Sequence, residues 1–185
     1  DPLAALERIG VAARERLSPD TRVIAVTGSA GKTGTKEMLR ACLAKIAPGR
    51  VHASEKSYNN HWGVPLTLAR MPADTTFAVF EIGMNHAGEI RPLTKMVRPH
   101  AAIITTVEAV HLEHFKSVEA IADAKAEIFE GLVSGGAAII KRASPYFERL
   151  RSAAGAQAAN VVSFGVDAGA DVVAASLDLG EEATR

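Results

Sequence analysis

The chain predicts an α/β fold, a mostly parallel sheet of about six strands with helices on both faces. Three observations lead there. Short apolar runs alternate with segments of helical period along the whole chain. Phe77-Ala78-Val79-Phe80, Ala101-Ala102-Ile103-Ile104 and Ala137-Ala138-Ile139-Ile140 are apolar at every position, as a strand covered on both faces requires. A further run, Val23-Ile24-Ala25-Val26-Thr27, opens directly into Gly28-Ser29-Ala30-Gly31-Lys32-Thr33 and then into a helical pattern.

In chain order, Asp1-Pro2 reads as a cap followed by proline in the first helical turn, with Leu3, Leu6, Ile9, Ala13 and Leu17 at helical spacing. Ser18-Pro19-Asp20 ends this helix, and residues 1–21 form an N-terminal helix and linker. Strand Arg22 to Thr27 follows, then a helix from Lys32 to Ile46 whose apolar face carries Met38, Leu39, Cys42, Leu43 and Ile46. Pro48-Gly49 stops it. Val51 to Ala53 is a short strand, Ser57 to Trp62 a polar loop and Gly63 to Met71 a helix. The alternation continues with strand Thr76 to Ile82, helix Ala87 to Val97, strand Ala101 to Thr106 and one long helix Ser117 to Leu132. Strand Ala137 to Ile140, helix Pro145 to Ala153 and strand Val161 to Phe164 come next, with Asp171 to Leu179 expected as a further, antiparallel strand.

The glycine loop is the segment with the clearest chemistry. A strand, an open turn of backbone N–H groups and a helix N-terminus together favour anionic oxygens. Lys32 reaches β/γ-phosphates in such a loop, and the Thr33 hydroxyl sits on magnesium. The full consensus has a glycine where Val26 stands, so this is a shortened G-x-x-G-K-T. The domain is therefore of the P-loop nucleotide-binding type.

Composition bounds the partners. Of 185 residues, 48% are hydrophobic and 23% charged, which suits a packed domain. Lys+Arg and Asp+Glu balance at 21 each, so no net field argues for nucleic acid or an anionic membrane. The single cysteine, Cys42, excludes an internal disulfide, suits a reducing cytoplasm and is expected in the core. No apolar stretch approaches membrane-spanning length. The first residue is not Met, so the chain is expected to be a piece of a longer protein.

Ligands of open α/β sheets sit beyond the carboxyl ends of the strands. There the Thr76 strand delivers Glu81, an acid after four apolar residues, suited to magnesium directly or through water. The Ala101 strand leads to His111 and His114, either of which suits a metal or a phosphate. Lys125 falls within the apolar stripe of Val118, Ile121, Ala122, Ile128, Phe129 and Leu132. A buried ammonium is costly. Three resolutions stand: the side chain snorkels to water, pairs with an acid such as Glu81, or reacts with carbon dioxide to form a carbamate. The paired amides of Asn59-Asn60 suit either a phosphate or tetrahedral intermediate, or simple capping of their own turn. Trp62 reads as a packing residue, and Asn85-His86-Ala87-Gly88-Glu89-Ile90 as a substrate-facing loop or the start of a helix.

Four blocks resemble the central ATP-binding domain of the Mur ligases of peptidoglycan synthesis. They are residues 27–33, residues 59–68, residues 81–90, and His111-Leu112-Glu113-His114-Phe115 through Ala124-Lys125-Ala126-Glu127-Ile128-Phe129. The second and third look like the member that adds D-alanyl-D-alanine to UDP-N-acetylmuramoyl-tripeptide. The resemblance implies an ATP- and Mg2+-dependent ligase that forms an amide through an acyl phosphate in the cytoplasm. It implies ATP contacts from Gly28, Ser29, Ala30, Gly31, Lys32, Thr33 and Asn60. Metal ligands are implied at Thr33, Glu81, His111 and Lys125, the last as a carbamate. Lys32, Lys125, Asn60 and His111 become the catalytic set, and His114, where a glycine is common, becomes incidental. The implied partners are ATP, the UDP-linked tripeptide and D-alanyl-D-alanine, with no nucleic acid and no membrane span.

The same resemblance implies that residues 22–185 are a central domain cut short at its C-terminal end, without the family's N-terminal UDP-binding and C-terminal domains. No asparagine-containing helix of the kind that lies near the adenine precedes Arg185. The fragment alone is then expected to bind Mg-ATP weakly and to catalyse no ligation. Alternatives are a sibling ligase adding a diamino acid, or glutamate to folate, and a non-catalytic nucleotide-binding module. A GTPase lacks support, because Thr94-Lys95 is followed by Met96-Val97 and no guanine-reading Asp.

Overall fold

The computed structural model describes residues 1–110, 113–157 and 159–175. Seven strands form one sheet in the order β2-β3-β1-β4-β5-β6-β7, with every pairing parallel. They are β1 (Arg22–Thr27), β2 (Val51–Ala53), β3 (Phe77–Glu81), β4 (Ala101–Ile104), β5 (Ala137–Lys141), β6 (Asn160–Gly165) and β7 (Val172–Val173). The helices are α1 (Pro2–Glu15), α2 (Lys32–Ile46), α3 (Gly63–Ala69), α4 (Ile90–Val97), α5 (Val118–Ala126) and α6 (Phe147–Ala156). β1 is an interior strand, third in the order, with β3 on one side and β4 on the other. The chain leaves β1 for one flank and later crosses to the other, which opens a crevice at its carboxyl end.

Alternation along the strands builds two unequal cores. Val23, Ala25, Ala78, Phe80, Ala102, Ile104, Ala138 and Ile140 point into the larger one, against α3, α4, α5 and α6. Val26, Val79 and Ile103 point the other way, against Leu39 and Leu43 of α2. Helices cover both faces as expected, but α2 alone supplies the second cover. The Asp1 carboxylate caps α1 through the Leu3 amide at 2.9 Å. Arg14 of α1 then binds the Val97 and Arg98 carbonyls at the end of α4, at 2.7 and 2.8 Å.

Several expectations are corrected. Cys42 is exposed. Met38 and Ile46 are 64% and 73% exposed, because α2 meets the sheet only along the Lys36–Leu39–Leu43 line. The long helix from Ser117 to Leu132 ends as an α-helix at Ala126 and tightens into a 3-10 helix, Glu127–Gly131. The tightening brings Gly131 so close to α4 that a Cβ there would lie 2.2 Å from the Thr94 carbonyl oxygen. The final strand is two residues long and parallel to β6; the expected continuation from residue 176 onward lies outside the described residues. β4 ends at Ile104 rather than Thr106, because Thr105 and Thr106 turn away to bond the glycine loop.

Candidate nucleotide and metal site

The glycine loop is shaped from two sides. Gly28 has φ +151, and a Cβ there would lie 1.9 Å from Thr105 Oγ1, so both space and backbone conformation demand glycine. Gly31, with φ +79, is the N-cap of α2 and leaves its first-turn amides without a side-chain cap. The loop rests on the segment after β4. The Ser29 amide donates to the Thr106 carbonyl at 2.9 Å and the Ala30 amide to Thr106 Oγ1 at 3.1 Å. Thr105 Oγ1 donates to the Ala30 carbonyl at 2.5 Å. Ser29 Oγ accepts from the Glu108 amide at 2.9 Å.

Three of the expected site residues meet at the end of β1. Parallel register sets Val26 beside Glu81. Lys32 Nζ folds back on the Gly28 carbonyl at 2.8 Å. Burial lowers its pKa and Glu81 opposes that shift. Thr33 Oγ1 donates to Glu81 Oε2 at 2.8 Å. Glu81 is 1% exposed, and its own amide donates to Ser54 Oγ at 3.1 Å.

Lys125 joins them from α5. It is 2% exposed, which rules out snorkelling. Nor does it pair with Glu81, whose two oxygens accept from Thr33 and from Asn59. Burial, reinforced by the Lys32 ammonium, pushes its pKa down to about 8. An amine so placed is far more often neutral at physiological pH than an exposed lysine. His111 lies outside the described residues.

The two adjacent amides separate. Asn60 Oδ1 accepts from the Trp62 and Gly63 amides at 3.1 and 2.9 Å and so caps the start of α3. Asn59 is the one that reaches the cleft, where its Nδ2 donates to Glu81 Oε1 at 2.7 Å. Its carbonyl accepts from the Gly83 amide at 2.8 Å. Trp62, expected to pack, is 48% exposed, since its place at the tip of the turn points it outward. The His114 ring lies against that of His86, tilted by 37° with centroids 4.2 Å apart, and His86 Nδ1 lies 3.1 Å from Glu89 Oε1.

Sequence reading missed Lys36. Its ammonium is fully buried and donates to the Ser54 and Lys56 carbonyls at 2.8 and 3.0 Å, with Glu37 at 2.8 Å. It thereby pins the segment leading to Asn59 onto α2. Its position one turn beyond Lys32 was the available signal. Among the described residues no cluster of three or more His, Cys, Asp or Glu side chains could hold a metal. One hydroxyl and one carboxylate at the foot of a phosphate loop nevertheless fit Mg2+, which keeps waters and shares phosphate oxygens.

The Mur ligase middle domain model matches residues 26–185. A UDP-N-acetylmuramoyl-tripeptide--D-alanyl-D-alanine ligase of Bacillus subtilis (strain 168) is 45% identical over 139 residues, 75% of this chain and 30% of that protein. The protein of that name from Escherichia coli (strain K12) is 43% identical over 130 residues, 70% of this chain and 28% of that one. A crystal structure of MurF from Acinetobacter baumannii superposes with TM-score 0.88 at 37% identity, covering 97% of this chain and 38% of that one. MurF of Thermotoga maritima in complex with ADP gives 0.80 at 28% identity, over 94% of this chain and 38% of that one. The chain thus spans about a third of the length of these relatives. Escherichia coli FolC in complex with ADP, at 21% identity and TM-score 0.66, shares the fold. By family model, by identity and by superposition, this chain belongs to the Mur ligase family, in the part that forms the family's middle domain.

Proposed function

We propose that the chain is the ATP-binding part of a ligase that joins D-alanyl-D-alanine to UDP-N-acetylmuramoyl-tripeptide in the cytoplasm. The observation that carries this reading is the Thr33–Glu81 bond at the foot of the glycine loop, with a buried Lys125 beside Lys32. The names of the relatives support the substrate pair. Amide formation from a carboxylate needs an activated acyl group. The tripeptide carboxylate oxygen attacks the γ-phosphorus, ADP leaves, and an acyl phosphate remains. The amine of D-alanyl-D-alanine then adds to the acyl carbon, inorganic phosphate leaves and the amine loses a proton.

The difficulty is bringing two anions together, so the residues act chiefly by electrostatics. Lys32 would exchange its Gly28 carbonyl for β/γ oxygens. The open amides of the first turn of α2 would receive phosphate oxygens. Thr33 and Glu81 would hold Mg2+, which supplies charge neutralisation when bound. Lys125, neutral enough to take up carbon dioxide, would as a carbamate offer an anionic oxygen. His111 completes the proposed set, and Asn59, rather than the expected Asn60 that caps α3, supplies the amide by holding Glu81 in aim.

The deciding assay uses the polypeptide in its full natural length with Mg-ATP, the UDP-tripeptide and a panel of amines. Phosphate release only with D-alanyl-D-alanine supports the reading. Activity with a single free amino acid moves it to a sibling ligase, and nucleotide binding without turnover to a non-catalytic module.

A further inference from the structure

Glu127 is a buried carboxylate, 7% exposed, two residues beyond Lys125. It spends both oxygens on another element. Oε1 accepts from the Gly88 amide at 2.7 Å and Oε2 from the Arg91 amide at 3.1 Å, with the Arg91 guanidinium at 3.8 Å. These amides belong to the start of α4. That helix has no acid in its first turn, and its own N-cap residue, Glu89, makes no side-chain cap. The Glu89 carboxylate instead accepts from the Asn85 amide at 2.7 Å and meets His86. The cap of α4 is therefore imported from the first residue of the 3-10 helix, which directly follows the α-helix that carries Lys125.

The consequence is a short bonded path between two site residues. From Glu81 the chain runs through residues 82–87 to Gly88, crosses one pair of hydrogen bonds to Glu127, and returns through Ala126 to Lys125. Among the described residues, no other side-chain hydrogen bond joins residues 82–90 to residues 118–127. The junction is backed further along α4 by Thr94 Oγ1, which donates to the Ile128 carbonyl at 2.8 Å, and by the Arg91 and Lys95 pairs with Glu130. A buried carboxylate is retained only where its oxygens are satisfied. Capping α4 alone needs nothing more than a local Ser or Asp.

Building on the ligase reading, we infer that Glu127 is a positioning residue that fixes the separation of Glu81 and Lys125, and with it the geometry of the divalent-cation site. It touches neither nucleotide nor metal itself.

The test measures Mn2+ affinity by electron paramagnetic resonance, with the chain saturated with ADP, for wild type, Glu127→Ala, Glu127→Gln and Thr94→Val. Thr94→Val removes a bond of the same junction that lies outside that path. The expected result is Mn2+ bound at least tenfold more weakly in Glu127→Ala, an intermediate loss in Glu127→Gln, and a change under twofold in Thr94→Val at comparable thermal stability. Metal-free ADP affinity stays within twofold throughout. In a Lys125→Ala background, Glu127→Ala adds little. Where Glu127→Ala does not fold, the isosteric Glu127→Gln decides. Equal Mn2+ loss in Glu127→Ala and Thr94→Val, or no loss in either, overturns the inference while leaving the ligase reading intact. Wild type that binds ADP and takes up no Mn2+ beyond that of free ADP overturns both.

Discussion

Thr33 and Glu81 are hydrogen bonded at 2.8 Å across 48 residues of sequence, the hydroxyl donating and the carboxylate accepting. Neither is oriented alone. Asn59 holds the second Glu81 oxygen and Ser54 receives the Glu81 amide. The hydroxyl and the acid are thus aimed at one point before any cation arrives, which lowers the ordering cost of binding.

Lys32 is the one cation inside the glycine loop, bonded to Gly28. Lys32→Ala should weaken ADP and ATP binding by roughly 100-fold, because the charge-assisted bonds to phosphate go with it. Isothermal titration calorimetry checks this, and unchanged affinity would remove the loop from the site.

Glu81→Gln keeps the shape of the side chain and lets one amide oxygen face Asn59. Metal-free nucleotide affinity should change little, whereas the enhancement by Mg2+ should fall by about tenfold or more, since a neutral amide is a poor ligand for a hard cation. Titrations with and without Mg2+ separate the two effects.

Lys125 gives the clearest dependence on pH. Its folded pKa of about 8 lies below the unfolded value, so the unfolded chain binds the extra proton between them. Stability should therefore rise with pH from 8 towards about 10.4 in a carbon dioxide-free buffer. Lys125→Met should flatten that rise and add up to roughly 3 kcal/mol near pH 7. Urea melts across the range measure both, and a wild-type profile that falls over this window contradicts the assignment.

Lys36→Met should cost about 3 kcal/mol, because two carbonyls lose their donor and Glu37 one of its two partners. Nucleotide affinity should drop with it, as the segment carrying Asn59 comes free of α2. Denaturant midpoints and calorimetry on the same samples test the coupling.

The bounds of β1, α2 and β2 were legible to the residue, since Gly-Lys-Thr and Pro-Gly punctuate the chain with residues whose backbone preferences are strong. That Lys125 lies within an apolar stripe was legible too, but whether its ammonium is buried or reaches water was settled only by the packing of α5. Burial of Lys36 was not legible, because its partners are carbonyls of a distant turn and carbonyls have no sequence signature. The exposure of Cys42 escaped for a related reason. Helical period marks an apolar face but not how much of it a narrow flank of sheet can cover. Choosing between Asn59 and Asn60 required the turn itself, in which one amide caps α3 and the other faces Glu81. The break in α5 at Ala126 follows from Glu127 reaching across to α4, a demand that no local pattern announces.

The smaller of the two cores depends on a single helix, and that helix is capped by Gly31. Any anion held at its first turn therefore braces the sheet from the side with the least support. Occupancy and cohesion rise together, by RT ln(1 + [L]/Kd) for a ligand that binds only the folded chain. The temperature at which this protein melts is thus a running gauge of what its loop is holding.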